Sequence, residues 1–179
     1  LGTFAILWGK TFAIGQGLEP AEALAKGTLV FVMAQASALV WIPFLGFFLD
    51  RVNRVTGLVI CMTLASAGYL GTMLIDDPTA ASAIPIFILL GIGQISAFLG
   101  SATLIGQEAP KSKRGSVVGV FNSCGAIGIL IASGIGGRLF DSVGPSAPFI
   151  LVGIFNAIVL LAAIAVRILS PGAQQLSIQ

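Results

Sequence analysis

Charge is scarce in this chain, and histidine is absent. Among 179 residues there are nine Lys and Arg, seven Asp and Glu, and no His. Without imidazole the commonest general base and the commonest metal ligand are missing, so hydrolytic and metalloenzyme chemistry has little to build on. No group of Asp or Glu lies within an apolar segment to replace it, and neither a metal site nor a cofactor is expected. The two cysteines, Cys61 and Cys124, both fall inside apolar runs, where they behave as small hydrophobes rather than as a disulfide or metal pair. The net charge of +2 is too small to suggest nucleic acid as a partner.

Apolar residues make up 56% of the chain, and the mean hydropathy is +1.04. That composition belongs to a polypeptide dissolved in lipid. A hydrocarbon core about 30 Å thick needs about 20 apolar residues per helix, and within it a helix satisfies its own backbone. Six segments qualify as candidates: 1–16, 28–49, 55–75, 82–106, 115–137 and 148–168. The expected fold is all-α, a polytopic six-helix membrane domain over 1–169 followed by a short tail, 170–179. The first segment is a turn or two too short, and the chain opens on Leu1 rather than Met, so a cut first helix is expected. It has neither the basic leader nor the small-residue cleavage site of a signal peptide.

Sidedness follows from the loop cations. Arg51, Arg54, Lys111, Lys113, Arg114 and Arg167 fall to one face, Lys26 and Arg138 to the other. The positive-inside rule then makes loops 50–54 and 109–114 and the C-terminus cytoplasmic, in a bacterial inner membrane.

Polar residues are distributed unevenly among the spans. Lys10, Gln35, Gln94 and Asn122 lie in the first, second, fourth and fifth, whereas the third lacks strongly polar residues and the sixth has Asn156 near its start. Polar side chains in a bilayer face other helices or a cavity, so spans three and six are expected to face lipid and the others to form an inner layer. Lys10, Gln35, Gln94 and Asn122 are the candidates for a substrate cavity. A cation near mid-span costs about 3 kcal/mol by insertion scales, so Lys10 implies an anionic substrate, a carboxylate partner elsewhere, or a side chain that snorkels to an interface. Trp8, Trp41 and the Phe residues read as interface anchors and packing. Glycine is concentrated in spans four and five, and dense, slidable packing of those helices is expected from it.

The segment GFFLDRVNR, residues 46–54, places a carboxylate and two guanidinium groups in a tight turn between apolar runs. With it the chain resembles the major facilitator superfamily of secondary transporters. Gly46, Asp50, Arg51 and Arg54 match that family's cytoplasmic loop motif, with Asn53 in place of its second Gly, a residue that tolerates a left-handed turn. In QEAPKSKRG, Glu108, Arg114 and Gly115 resemble the family's acid and Arg-Gly pair. Gly119, Gly128, Gly136 and Gly137 resemble an antiporter-type glycine register, with Ala132 and Ser133 where the family has Gly-Pro. GRLFDSVGPSAPF looks like the entry to a twelfth helix.

The resemblance implies one half of a 3+3 helix transporter, helices 7 to 12, with the first half as the alternative. It implies alternating access as symporter or antiporter, no enzymatic activity, and three partners: the bilayer, another six-helix half, and a small-molecule substrate. It also implies that Asp50, Arg51, Arg54, Glu108 and Arg114 latch a cytoplasmic gate, and that the four glycines pack helices. A six-helix channel or an accessory membrane subunit is the competing reading.

Overall fold

The computed structural model describes residues 2–169, and every long element in it is helical. The helices are α1 (Gly2–Gly15), α2 (Pro20–Leu49), α3 (Arg54–Gly71), α4 (Ile84–Glu108), α5 (Arg114–Ser142) and α6 (Ala147–Leu169). Five of them, α2 to α6, are long and apolar enough to cross a membrane. Leu1 and the expected tail at 170–179 lie outside the described residues.

Two helices outrun the apolar segments that predict them. α2 starts at Pro20 rather than near 28, because proline suits a first turn that needs no N–H and Glu22 complements the positive helix terminus. α5 runs on to Ser142 rather than 137, which brings Arg138 and Asp141 into the helix. Hydropathy marks where lipid begins, not where the backbone stops being helical. Glycine provides two of the stops. Gly17, at φ 85°, closes α1 with bonds from its own N–H to the Ile14 carbonyl and from Leu18 N–H to Ala13. Gly144, at φ 147°, donates to the Leu139 carbonyl after α5.

Packing runs α1 to α2 to α4 to α3 to α6, and small residues make each crossing close. A Cβ added at Gly9 would lie 2.7 Å from the Gly27 backbone, which joins α1 to α2. Gly91 faces the Ala34 carbonyl across the α2–α4 contact, where Ser37 Oγ also donates to the Ile88 carbonyl at 3.1 Å. Gly68 and Gly93 are reciprocal between α3 and α4: a Cβ on either would come 2.6 Å from a carbonyl oxygen of the other helix, Leu89 or Leu64. In lipid there is little hydrophobic drive between helices, so such backbone approach is what holds them.

These contacts correct the expectation for span three. α3 buries Gly57, Cys61, Met62, Ala65, Ser66, Gly68 and Tyr69 and is the most enclosed of the five long helices. Its lack of strongly polar residues reflects small side chains chosen for close packing, not a face turned to lipid. α6 does present an apolar outer face, through Ile154, Ile158, Leu161 and others.

The glycine-rich α5 is the opposite case from the one expected. Nothing lies within 4 Å of a Cβ placed on Gly115, Gly119, Gly125, Gly128, Gly134 or Gly137; of the register glycines, Gly136 alone finds neighbours, the Phe4 ring and Pro148. Within this unit α5 is therefore loosely attached rather than densely packed.

The core is aromatic. Trp8 sits 5% exposed between Phe87 and Phe149, with ring centroids 6.0 and 5.8 Å away, which makes it a core residue rather than an interface anchor. Trp41 lies farther along α2 and donates its indole N–H to Ser96 Oγ at 3.0 Å.

Candidate functional site

One end of the bundle carries the charged loops. α2 ends at Asp50, whose backbone N–H still bonds to the Gly46 carbonyl, and the chain reverses over Arg51, Val52 and Asn53. Asn53 starts α3. Its φ of −57° and ψ of 136° are extended, not left-handed, and its Oδ1 accepts from the N–H groups of Val55 and Thr56 at 3.0 and 3.5 Å. The residue thus serves as an N-cap, which a glycine fills without a side-chain acceptor. This corrects the turn geometry expected of it and gives the departure from the family motif a physical use.

Asn53 also directs Arg54. As the first residue of α3, Arg54 reaches Glu108, the last residue of α4, and its Nη1 donates to Oε1 at 2.8 Å. The pair bridges 54 residues of sequence and ties the α2–α3 turn to the α4–α5 loop. Both side chains are well exposed, at 41% and 60%. Arg51 turns the other way and lays its guanidinium 3.2 Å over the Phe47 ring. Asp50 at the end of α2 and Arg114 and Gly115 at the start of α5 are exposed, and Asp50 and Arg114 make no ion pair among the described residues. Of the five charged residues read as a latch, the structure joins two, Arg54 and Glu108.

At the other end of the helices, the turn between α3 and α4 is organised by Asp77. Its Oδ1 accepts from the Thr79 N–H and hydroxyl, each at 2.7 Å, and Gln16 after α1 reaches the same carboxylate. The Thr79 hydroxyl is the main influence holding the carboxyl below its ordinary value, against an opposing effect of partial burial.

The cavity candidates separate. Lys10 is half-buried on α1 and makes no ion pair among the described residues. Gln35 and Gln94 meet at a crevice of about 10 Å³, room for a single water. Gln94 also faces a cavity of about 610 Å³ between α5 and the α3–α4–α6 face. Asn122 is exposed on α5 and borders neither. Three polar residues of the larger cavity escape sequence reasoning: Tyr69, Ser133 and Asn156. The signal for the first was present, because Tyr69 is the single tyrosine of the chain and lies in a span, 55–75, that has no strongly polar residue.

Five long apolar helices, close glycine crossings and charged loops paired at one end define an all-α, multi-pass integral membrane protein. The chain belongs to the Major Facilitator Superfamily, a transporter family whose model matches residues 2–177. It is 32% identical over 169 residues to "Magnetosome protein MamH" of Paramagnetospirillum magneticum, covering 94% of this chain and 39% of that protein. It is 29% identical over 164 residues to "Magnetosome protein MamZ" of Magnetospirillum gryphiswaldense, covering 91% of this chain and 25% of the relative. The chain therefore spans well under half the length of these curated relatives. No solved structure matches it.

Proposed function

We propose that this chain is the C-terminal six-helix half of a secondary transporter that moves a small solute by alternating access, as symporter or antiporter. The observation that carries the reading is the Arg54–Glu108 pair, which fastens two loops at the same end of the bundle. A gate needs a small bias between two states rather than a strong lock, and an exposed ion pair of about 0–1 kcal/mol is of that size. Asp50 and Arg114, exposed in the same two loops, are the residues available to join it in the other facing state.

The open glycine face of α5 supports a second six-helix half as partner, since it leaves a helix of this length almost without neighbours. Lys10, half-buried and without an ion pair among the described residues, is the anchor for an anionic substrate or the partner of a carboxylate in the other half. The loop cations support a cytoplasmic position for residues 50–54 and 109–114 in a bacterial membrane. The names of the relatives favour a magnetosome membrane as that location.

The test is accessibility. In the intact protein in sealed vesicles, a cysteine placed in the α4–α5 loop by Ser112→Cys, with Cys124→Ser, is titrated with a membrane-impermeant maleimide alongside substrate uptake. Glu108→Gln and Asp50→Asn are expected to change both the labelling rate and the uptake rate. Unchanged rates in both variants would remove the gate, and flux that never saturates with substrate would favour a channel.

A further inference from the structure

The cavity beside α5 is bordered by four polar side chains that bond to nothing among the described residues. Tyr69 is 4% exposed, yet its hydroxyl has no hydrogen-bond partner among the described residues. It is also not sealed in protein, since Ser66 Oγ is the fully enclosed side-chain atom without a partner and Tyr69 Oη is not. Gln94, Ser133 and Asn156 border the same space, and their side chains likewise make no hydrogen bond among the described residues. Everything else lining the cavity among the described residues is apolar or glycine, and none of them carries a charge.

Depth gives these groups their meaning. Asn156 lies nine residues into α6 and Gln94 ten into α4, on the order of 15 Å along each axis. At that depth bulk water is scarce, and an amide or hydroxyl left unpaired is strongly disfavoured. A cavity of about 610 Å³ falls within the range of small-molecule sites. The lining excludes an anion or cation, which would find no counter-charge, and it rewards an apolar body with oxygen functions at one end.

We propose that this cavity binds a neutral, oxygen-bearing lipid drawn from the bilayer, its ester or hydroxyl oxygens bonded by Tyr69, Gln94 and Asn156 and its chains lying along α5. The loose attachment of α5 supplies the entrance, because a lipid can pass between helices that make few close contacts. The site is separate from Lys10 and from the Arg54–Glu108 pair, and it stands whether or not the protein transports.

The probe is a diazirine-bearing diacylglycerol, photolysed with the intact protein in phosphatidylcholine nanodiscs and mapped by peptide mass spectrometry. Adducts are expected to concentrate in 125–135 of α5 and 151–156 of α6. Tyr69→Phe and Asn156→Leu each remove hydrogen-bonding capacity and should lower that labelling by about 2- to 10-fold. Ala132→Phe, which fills the cavity, should nearly abolish it, whereas Arg54→Ala should leave it unchanged. Adducts spread evenly over the outer faces of α2 and α6, with no response to Tyr69→Phe, would overturn the proposal. Should Ala132→Phe misfold by size-exclusion chromatography, Tyr69→Phe decides, since it removes one oxygen and keeps the ring in place.

Discussion

Arg54 and Glu108 meet at 2.8 Å although each heads or ends a different helix, so one exposed contact couples the α2–α3 turn to the end of α4. Exposure limits what it adds to stability. Arg54→Ala should change the unfolding free energy by about 0–1 kcal/mol, and the difference should shrink further at high salt. The charge exchange Arg54→Glu with Glu108→Arg should recover any loss. A detergent-phase thermal melt of the native protein, Arg54→Glu, Glu108→Arg and the double exchange, analysed as a double-mutant cycle, measures the coupling; a loss of several kcal/mol in Arg54→Ala would mean the pair is not the surface contact described.

Asn53 offers a cleaner discrimination. As an N-cap, its replacement by Ala should cost about 1 kcal/mol, while Gly should cost only a few tenths. A residue strained in a left-handed turn would respond differently, with Gly stabilising. Unfolding midpoints of Asn53→Ala and Asn53→Gly separate the two geometries.

Glycines should divide into two groups. Gly93→Val forces a side chain into the Leu64 carbonyl, so it should sharply lower the yield of folded protein and the melting temperature. A Cβ at Gly119 meets nothing within 4 Å in this unit. If a second half covers α5, Gly119→Val should destabilise the intact protein while leaving a separately expressed six-helix segment unaffected; equal effects in both would argue against that partner.

Asp77 predicts a pH dependence. Its folded-state carboxyl lies below its ordinary value of 3.8, chiefly because the Thr79 hydroxyl bonds to the ionised form. Depression in the folded state means that the stabilisation is complete well above 3.8 and is lost as pH falls through the folded value. The stability gap between the native protein and Asp77→Ala should therefore be constant from about pH 5 to 7 and narrow in stronger acid. Chemical denaturation across that range measures it, and a gap that widened in acid would reverse the assignment.

The number of helices and the side on which the charges gather were legible because lipid imposes them through composition. Helix ends were less so: 20–27 and 138–142 are helical although Glu22, Lys26, Arg138 and Asp141 interrupt the apolar run, and backbone preference extends past the hydrocarbon. Neighbour relations were the least legible. Ala, Gly and Ser in α3 have no hydropathic signature that separates a packed face from a lipid face, so Gly68 had to be seen against Leu89. The same limit hid the cavity, where Tyr69, Ser133 and Asn156 converge from three helices through tertiary placement alone. Arg54 and Glu108 were legible as members of a charged cluster, but nothing in their spacing singled them out from Asp50 or Arg114.

The neighbour order bears on how the protein is built. α6 seats on α3, beyond α5, and α5 rests mainly on α6. During synthesis α5 reaches the bilayer before the surface that receives it exists, while α1 to α4 can already close on one another. Within this unit, then, the contact that holds α5 can form only after α6 has followed it into the bilayer, so α5 is the helix whose seating waits on a later one.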